Sequence, residues 1–288
     1  MGAYISLVDS SLGVGDIKHT QKAPGSNPGA SIVKMKVAII GLGNIGSETL
    51  KEIAKKDNVD VTGIDIDQNK LDKLKNKYKV TNKLNEAFDV YIISVYSTEQ
   101  VIGVLNKIDY SKKPLVSVDS TVKPGTYKIL RKIVVEKNKS NLILFPHRFN
   151  PNDKEHHIFN LKRVMGGATK ECLERGVKFF KQFIPEDLIV KTSIEYAELS
   201  KVLENAYRFL EIATAEEIKL FCNKNNLDFN ELRRCINSKW NIDIKEAREG
   251  IISKCLPKDI HFLNEFFQNN KLFNTAVEVD EEYKDKIK

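Results

Sequence analysis

The sequence predicts an α/β protein: a Rossmann-type, doubly wound parallel sheet over about 35–190, followed by an all-helical domain over about 191–288 that contains one long helix. Three observations carry this. The short apolar strand pattern KVAII at 36–40 runs directly into Gly41-Leu42-Gly43-Asn44-Ile45-Gly46 and then into a helical stretch. Strand and helix patterns alternate from there to about residue 190, as βαβ units do. Residues 195–222 contain no glycine or proline and repeat Leu199, Val202, Leu203, Ala206, Tyr207, Phe209, Leu210 and Ala213 at helical spacing.

Length and composition set the frame. The 288 residues, 41% apolar and 30% charged, suit about two soluble domains. The net charge of +7 comes from lysine-rich helices with acids interleaved, not from a basic block. No nucleic-acid partner is therefore expected, although a mildly positive field favours an anionic substrate. No apolar run approaches the roughly 18 residues of a membrane span, so no membrane partner is expected. Cys172, Cys222, Cys235 and Cys255 lack the paired short spacings of zinc or disulfide frameworks, and a cytoplasmic location is expected. Residues 1–34 differ in kind. They are rich in Gly, Ser and Pro, lack periodicity and match neither a signal nor a transit peptide, so they are expected to be disordered. Met35 stands just before the first convincing strand and is the expected start of the protein, which would make the leader an over-extended reading frame.

The glycine loop has a specific physical reading. Gly41 makes the tight turn, Gly43 lets a pyrophosphate approach the backbone, and Gly46 lets helix pack closely on strand. Residues 47–57 then read as a helix, and the pyrophosphate, with Asn44 and Ile45 in the loop beside it, is expected at that helix's N-terminus, where free N–H groups and the dipole favour negative charge. The next strand, 59–64, ends at Asp65, about twenty residues beyond the glycines. Asp65 is expected to bond ribose hydroxyls and repel a 2′-phosphate, which selects NAD over NADP.

Further strands are expected at 90–95, 115–118, 142–145 and 163–165, with helices around 68–78, 99–106, 126–138 and 169–183. Ligands in such sheets lie at the carboxyl ends of the strands. Two loops fall there: 94–98 (SVYST), which contains Val95, and 119–126 (DSTVKPGT). In the second, Ser120 and Thr121 offer hydroxyls, Pro124-Gly125 turns the chain and Thr126 is expected to cap a helix. On the long helix, Lys201 and Asn205 stand four apart and so share a face. His156 and His157 are adjacent, but no other ligands stand at metal spacing, so a solvated loop and no metal are expected.

The order GLGNIG, DSTVKPGT, AELSKVLENAYRF and CLPKD resembles the UDP-glucose/GDP-mannose dehydrogenase family from about residue 35 onward. The resemblance implies an N-terminal NAD-binding Rossmann domain and a helical middle domain that forms a homodimer through the long helix. It also implies NAD-dependent oxidation of the primary alcohol of a nucleotide sugar, a UDP- or GDP-hexose, to the carboxylate. By that resemblance Cys255 is the nucleophile that attacks the intermediate aldehyde, giving a thiohemiacetal, then a thioester that water hydrolyses. Its neighbours Lys254 and Lys258 make a cationic setting that suits covalent catalysis. Lys201 and Asn205 match donors to the oxygen on which charge develops. Asp259 matches an acid that orients water or accepts a proton. Thr121 matches a threonine near the nicotinamide, and Val95 and Ser120 complete the expected cofactor set.

The departures are informative too. The family's P-E-R-x-x-P-G is here Pro146-His147-Arg148-Phe149-Asn150-Pro151-Asn152. His147 in the glutamate's place is either a base near neutral pH or a sign that the hydrolytic step is lost. The family's G-G-H before the cysteine is Ile252-Ser253-Lys254, and its V-P-T-P loop is Val95-Tyr96-Ser97-Thr98. After CLPKD only a helical pattern over 260–288 remains, whereas the family continues into another Rossmann-like domain that supplies much of the sugar-nucleotide pocket. Three expectations follow: a separate polypeptide supplies that half, or the substrate is smaller, or the full reaction is not catalysed. Two other classes stay open. One is a two-electron alcohol dehydrogenase resembling the β-hydroxyacid dehydrogenases, which share the glycine loop and a Lys–Asn pair but need no cysteine. The other is a non-catalytic NAD-binding subunit or sensor.

Overall fold

Eight strands form one sheet: β1 (Met35–Ile40), β2 (Val59–Ile64), β3 (Val80–Thr81), β4 (Val90–Ile93), β5 (Leu115–Val118), β6 (Asn141–Leu144), β7 (Arg163–Gly167) and β8 (Ile189–Ser193). Their order is β3-β2-β1-β4-β5-β6-β7-β8. The structure is a computed structural model that describes residues 34–288, apart from 151, 152, 154, 269 and 288. The expected disorder of the leader, and the Pro151-Asn152 end of the departure at 146–152, lie outside the described residues.

β4, β5 and β6 are buried along their whole length, as strands covered on both faces must be. Ile39, Tyr91, Ile92, Ile93, Val116 and Leu142 are fully inaccessible. Helices α1 (Asn44–Ile53), α2 (Gln68–Leu74), α3 (Thr98–Leu105), α4 (Tyr127–Arg131, continuing as a π-helical turn over Lys132–Lys137) and α5 (Lys170–Phe180) connect the strands.

The sheet departs from the expected all-parallel form at one place. β7 runs antiparallel to β6, with Ile143 opposite Gly167 and Leu144 opposite Gly166. A parallel return needs a crossover element, and the described residues of the link between these strands hold no helix or strand. β3 and β8 are strands beyond those expected. β3 is only two residues long, and β8, IVKTS, is largely solvent-exposed at the sheet edge.

The long helix, α6 (Ile194–Lys224), starts directly after β8. With α7 (Phe229–Asn237), α8 (Cys255–Phe266) and α9 (Lys271–Ile287) it makes a region in which no strand occurs among the described residues. Its apolar residues divide between two sides. Val202, Ala206, Phe209 and Ala213 are buried in a core with Ile251, Ile260, Leu263 and Ala276. Tyr196, Leu203 and Tyr207, spaced along another face, are 69%, 38% and 60% exposed. No helix among the described residues is long and apolar enough to cross a membrane.

α6 also holds the sheet's loop after β5. Thr126 precedes α4 with helical backbone angles and makes no side-chain cap, contrary to the sequence expectation. The capping acceptor comes instead from Glu198 of α6. Its carboxylate accepts from Gly125 N (2.5 Å) and Tyr127 N (2.7 Å), two donors at a helix start that otherwise lack acceptors. Glu198 is almost fully buried, and burial pushes its pKa up to about 7 against the pull of those two N–H groups. Glu198→Ala will leave both donors without this acceptor. The expected cost is about 1–3 kcal/mol of stability, to be read as a lower denaturant midpoint at unchanged slope.

Candidate active site

The glycine loop has the shape its sequence predicts. Gly41 sits at φ +92°, and a Cβ there would lie 2.4 Å from Ser94 O. A Cβ on Gly46 would lie 1.8 Å from Gly41 O, so only glycine lets α1 approach the end of β1 this closely. Gly43 faces open space. Behind the loop, Ser94 Oγ is buried without a hydrogen-bond partner among the described residues. Asp65 ends β2, and its Oδ2 accepts from Leu42 N (2.7 Å) and Lys70 Nζ (3.0 Å), while Oδ1 accepts from Asp67 N (2.9 Å). Burial opposes its charge, but the two backbone N–H groups and Lys70 win and hold the carboxyl below its usual range. With two acceptor positions per oxygen, one remains on Oδ1 for a ribose hydroxyl. The open Gly43, the helix N-terminus and Asp65 together fit a dinucleotide.

Val95 and Ser120 are joined to each other. Ser120 Oγ accepts from Val95 N and donates to Val95 O, both at 2.8 Å, and the serine is buried. Its hydroxyl, expected to touch the cofactor, instead ties the β4 loop to the β5 loop. Thr121 follows it, half-buried.

A buried charged cluster lies beneath these loops. Asp119 Oδ2 accepts from Arg163 Nη2 at 2.9 Å and lies 2.9 Å from His147 Nε2, while Oδ1 accepts from Ser117 Oγ at 2.6 Å. Arg163 also donates to Phe145 O and stacks 3.6 Å above the Phe145 ring. Burial would raise the Asp119 carboxyl, but the Arg163 guanidinium, with His147 and Ser117, holds it low. His147 is pushed the other way, to about 4, by burial and by the Arg163 charge. Its imidazole is thus held neutral, which weighs against the first of the two readings of His147, a base near neutral pH. Nε2 lies 2.9 Å from Asp119 Oδ2, whose negative charge opposes that downward shift without overcoming it.

The remaining expected residues converge on α6 and α8. Lys201 Nζ donates to Asn205 Oδ1 (3.3 Å), and Asn205 Nδ2 donates to Asp259 Oδ2 (2.5 Å). The two contacts fix the orientation of the amide. Asp259 Oδ1 lies 3.5 Å from Lys258 Nζ but has no hydrogen-bond partner among the described residues. Burial lowers the Lys201 pKa, opposed by negative charge on Glu204, Asp259 and Cys255. Burial raises that of Asp259, opposed by Lys258, Asn205 and Lys201. Cys255 is the first residue of α8 and is exposed.

Next to it an open groove of about 690 Å³ is lined by Tyr96, Ser253, Lys254, Pro257 and Lys258. Lys258 Nζ lies 5.4 Å from the Tyr96 ring, so the β4 loop and α8 meet at this groove. His156 pairs with Asp153 (2.7 Å) and His157 lies 3.6 Å from Glu52. Among the described residues no three His, Cys, Asp or Glu side chains are grouped as a metal site.

The structure adds Glu198, Asp119, Arg163 and Tyr96 to the surroundings expected from sequence. Only Glu198 had a local signal: an acid three residues before Lys201, on the same helix face.

Comparison with known proteins bears on this arrangement. Residues 35–88 match the NAD binding domain, and 195–282 the central domain, of the UDP-glucose/GDP-mannose dehydrogenase family. The chain belongs to that family. It is 29% identical to the UDP-N-acetyl-D-glucosamine 6-dehydrogenase of Salmonella typhi, a match that covers 81% of this chain and 63% of that one. It thus spans less than two thirds of that relative's length. The UDP-N-acetyl-mannosamine dehydrogenase Cap5O of Staphylococcus aureus superposes with a TM-score of 0.77 at 28% identity, covering 88% of this chain and 69% of that one. The 3-hydroxyisobutyrate dehydrogenase of Mycobacterium tuberculosis shares the fold alone, with a TM-score of 0.68 at 14% identity over 87% of this chain and 94% of that one. The first stretch of this family member is therefore an NAD-binding domain, and it contains the glycine loop and Asp65.

Proposed function

We propose that this protein is a cytoplasmic, NAD-dependent dehydrogenase that oxidises the primary alcohol of a nucleotide-activated hexose to the carboxylate through Cys255. The observation that carries this reading is the chain from half-buried Lys201 through buried Asn205 to buried Asp259, one helical turn after an exposed cysteine at a helix start. NAD, when bound, would supply the hydride acceptor for both oxidations, one molecule taking a hydride from the alcohol carbon and a second taking one from the thiohemiacetal carbon to leave the thioester. The protein's own groups do the rest. Lys201 gives one of its three N–H groups to Asn205 and keeps two for the substrate oxygen on which negative charge develops. Cys255 Sγ, as thiolate, attacks the aldehyde carbon, and the displaced π pair becomes the alkoxide that Lys201 faces. When the resulting thioester is hydrolysed, water adds to its carbon and gives a proton to Asp259 Oδ1, the oxygen without a hydrogen bond. Sγ then departs as thiolate. Burial makes Asp259 a better proton acceptor than a solvated carboxylate.

The same reading extends to assembly. The exposed row Tyr196, Leu203 and Tyr207 on α6 suits a twin helix from a second copy.

The test is NADH formation, followed by absorbance, against a panel of UDP- and GDP-sugars including the N-acetylhexosamines. It is run with this chain alone and with a separately expressed sugar-nucleotide domain. NADH with at least one sugar, and a uronic acid among the products, is the expected result. Tight NAD binding with no NADH from any sugar in either arrangement would sink the proposal.

A further inference from the structure

The segment that leads into Cys255 is gripped by α9. Ile251, four residues before the cysteine, has both backbone groups taken by one ion pair. Its N–H donates to Asp280 Oδ1 (2.8 Å) and its carbonyl accepts from Lys284 Nζ (3.1 Å), while Lys284 and Asp280 pair at 2.6 Å. Tyr283 Oη donates to Arg248 O at 2.7 Å. Gly250, at φ +85°, leaves room for the Lys284 side chain to lie across it, since a Cβ there would be 2.5 Å from Lys284 Cγ. Ile251 itself is buried in the core that holds Ile260 of α8.

Glu216 of α6 sits under this grip. It is completely buried, and both carboxylate oxygens lack a hydrogen-bond partner among the described residues. The charges that act on it are Asp280 and Lys284 of α9. Lys219, on its own helix, is committed to Ala247 O, and Arg248, on the gripped segment, points to solvent and pairs with Glu246. Tyr283 is spent on Arg248 O. An ionised Glu216 would therefore repel Asp280 and compete with it for Lys284.

We propose that Asp280 and Lys284 are positioning residues for Cys255, and that the proton on Glu216 keeps their grip on Ile251 closed. With Glu216 neutral, the pair holds the segment 248–251 and with it the start of α8. When Glu216 ionises, Lys284 is drawn from Ile251 O, and the cysteine's approach to Lys201 loosens. Burial holds the Glu216 carboxyl up, at about 7, so the change falls near neutral pH. The sign follows from linkage: the folded state binds this proton more tightly than the unfolded one. Its contribution is complete below about pH 4.5 and is lost as pH rises through about 7. The proposal rests on the dehydrogenase reading only for its catalytic consequence.

Hydrogen–deuterium exchange by mass spectrometry tests it without any substrate. Corrected for the intrinsic pH effect, exchange in peptides covering 248–256 should speed roughly tenfold between about pH 6 and about pH 8. Peptides from β1 and β4 should not change. Glu216→Gln should abolish the rise. Lys284→Met should give fast exchange at both pH values, and Lys284→Arg should restore protection. A corrected rate that does not change with pH, or a Glu216→Gln protein that follows the wild type, overturns the switch. Unchanged protection in Lys284→Met overturns the grip. If Lys284→Met does not fold, Glu216→Gln carries the test. For catalysis, Lys284→Met should lower kcat with KM for NAD unchanged. If no sugar is oxidised at all, the exchange result still stands or falls alone.

Discussion

Gly46→Ala will remove NAD binding and destabilise the protein, whereas Gly43→Ala will remove binding and leave stability intact. The two glycines stand three apart in one loop, yet their surroundings are opposite. A Cβ on Gly46 would sit 1.8 Å from the carbonyl oxygen of Gly41, and a second backbone atom, Gly41 C, lies at 3.0 Å. No rotamer relieves a clash with backbone, so α1 must lift from the end of β1, and its first-turn N–H groups lose their aim. Overpacking of this kind costs about 1–3 kcal/mol, and the dissociation constant for NAD should rise at least about 100-fold, or ~3 kcal/mol. Gly43 meets nothing within 4 Å. A methyl group there disturbs no protein atom and occupies only the space a pyrophosphate needs. Calorimetric titration with NAD, paired with thermal melts, separates the two cases. Full NAD affinity in Gly43→Ala would show that the pyrophosphate does not lie over this loop.

The second large effect concerns the sulfur. Cys255→Ala should abolish formation of the acid, while Cys235→Ala, at the other exposed cysteine, should change nothing. Without Sγ no thiohemiacetal forms. Oxidation then stops at the aldehyde, with one NADH per sugar where the intact protein gives two. Counting NADH against product by mass spectrometry decides the matter. If Cys255→Ala still makes the acid at the wild-type rate, the covalent route is wrong. If the intact protein itself stops at the aldehyde, it is the two-electron kind of enzyme.

What the sequence made legible was local. The glycine loop could be read because a pyrophosphate imposes its demands on neighbouring residues: a turn at Gly41, open space at Gly43 and close packing at Gly46. Lys201 and Asn205 could be paired because one helical turn brings them together. The length of α6 followed from its periodicity. Long-range contacts left no such mark. Asp119 and Arg163 lie 44 residues apart and meet only because β7 turns back antiparallel beside β6. That same cluster buries His147, a setting that nothing local to its sequence marked. Thr126 looked like a cap because its residue type favours one, but Glu198, more than 70 residues on, reaches the same N–H groups. β8 escaped because its sequence, IVKTS, is short and partly polar, as an edge strand tolerates.

One helix touches both halves of the site, and that sets a limit on how the protein can move. Glu198, Lys201 and Asn205 occupy successive turns along one side of α6. The first holds the loop after β5, and the last holds Asp259 of α8. At about 1.5 Å per residue, those anchor points are roughly 10 Å apart along the axis, a spacing fixed by covalent geometry rather than by a hinge. α6 thus works as a ruler laid between the nucleotide side and the cysteine side. Any closure around a substrate must leave that interval unchanged, so the give in this molecule belongs to parts that α6 does not span: the Tyr96 loop above the groove, and the stretch before Cys255.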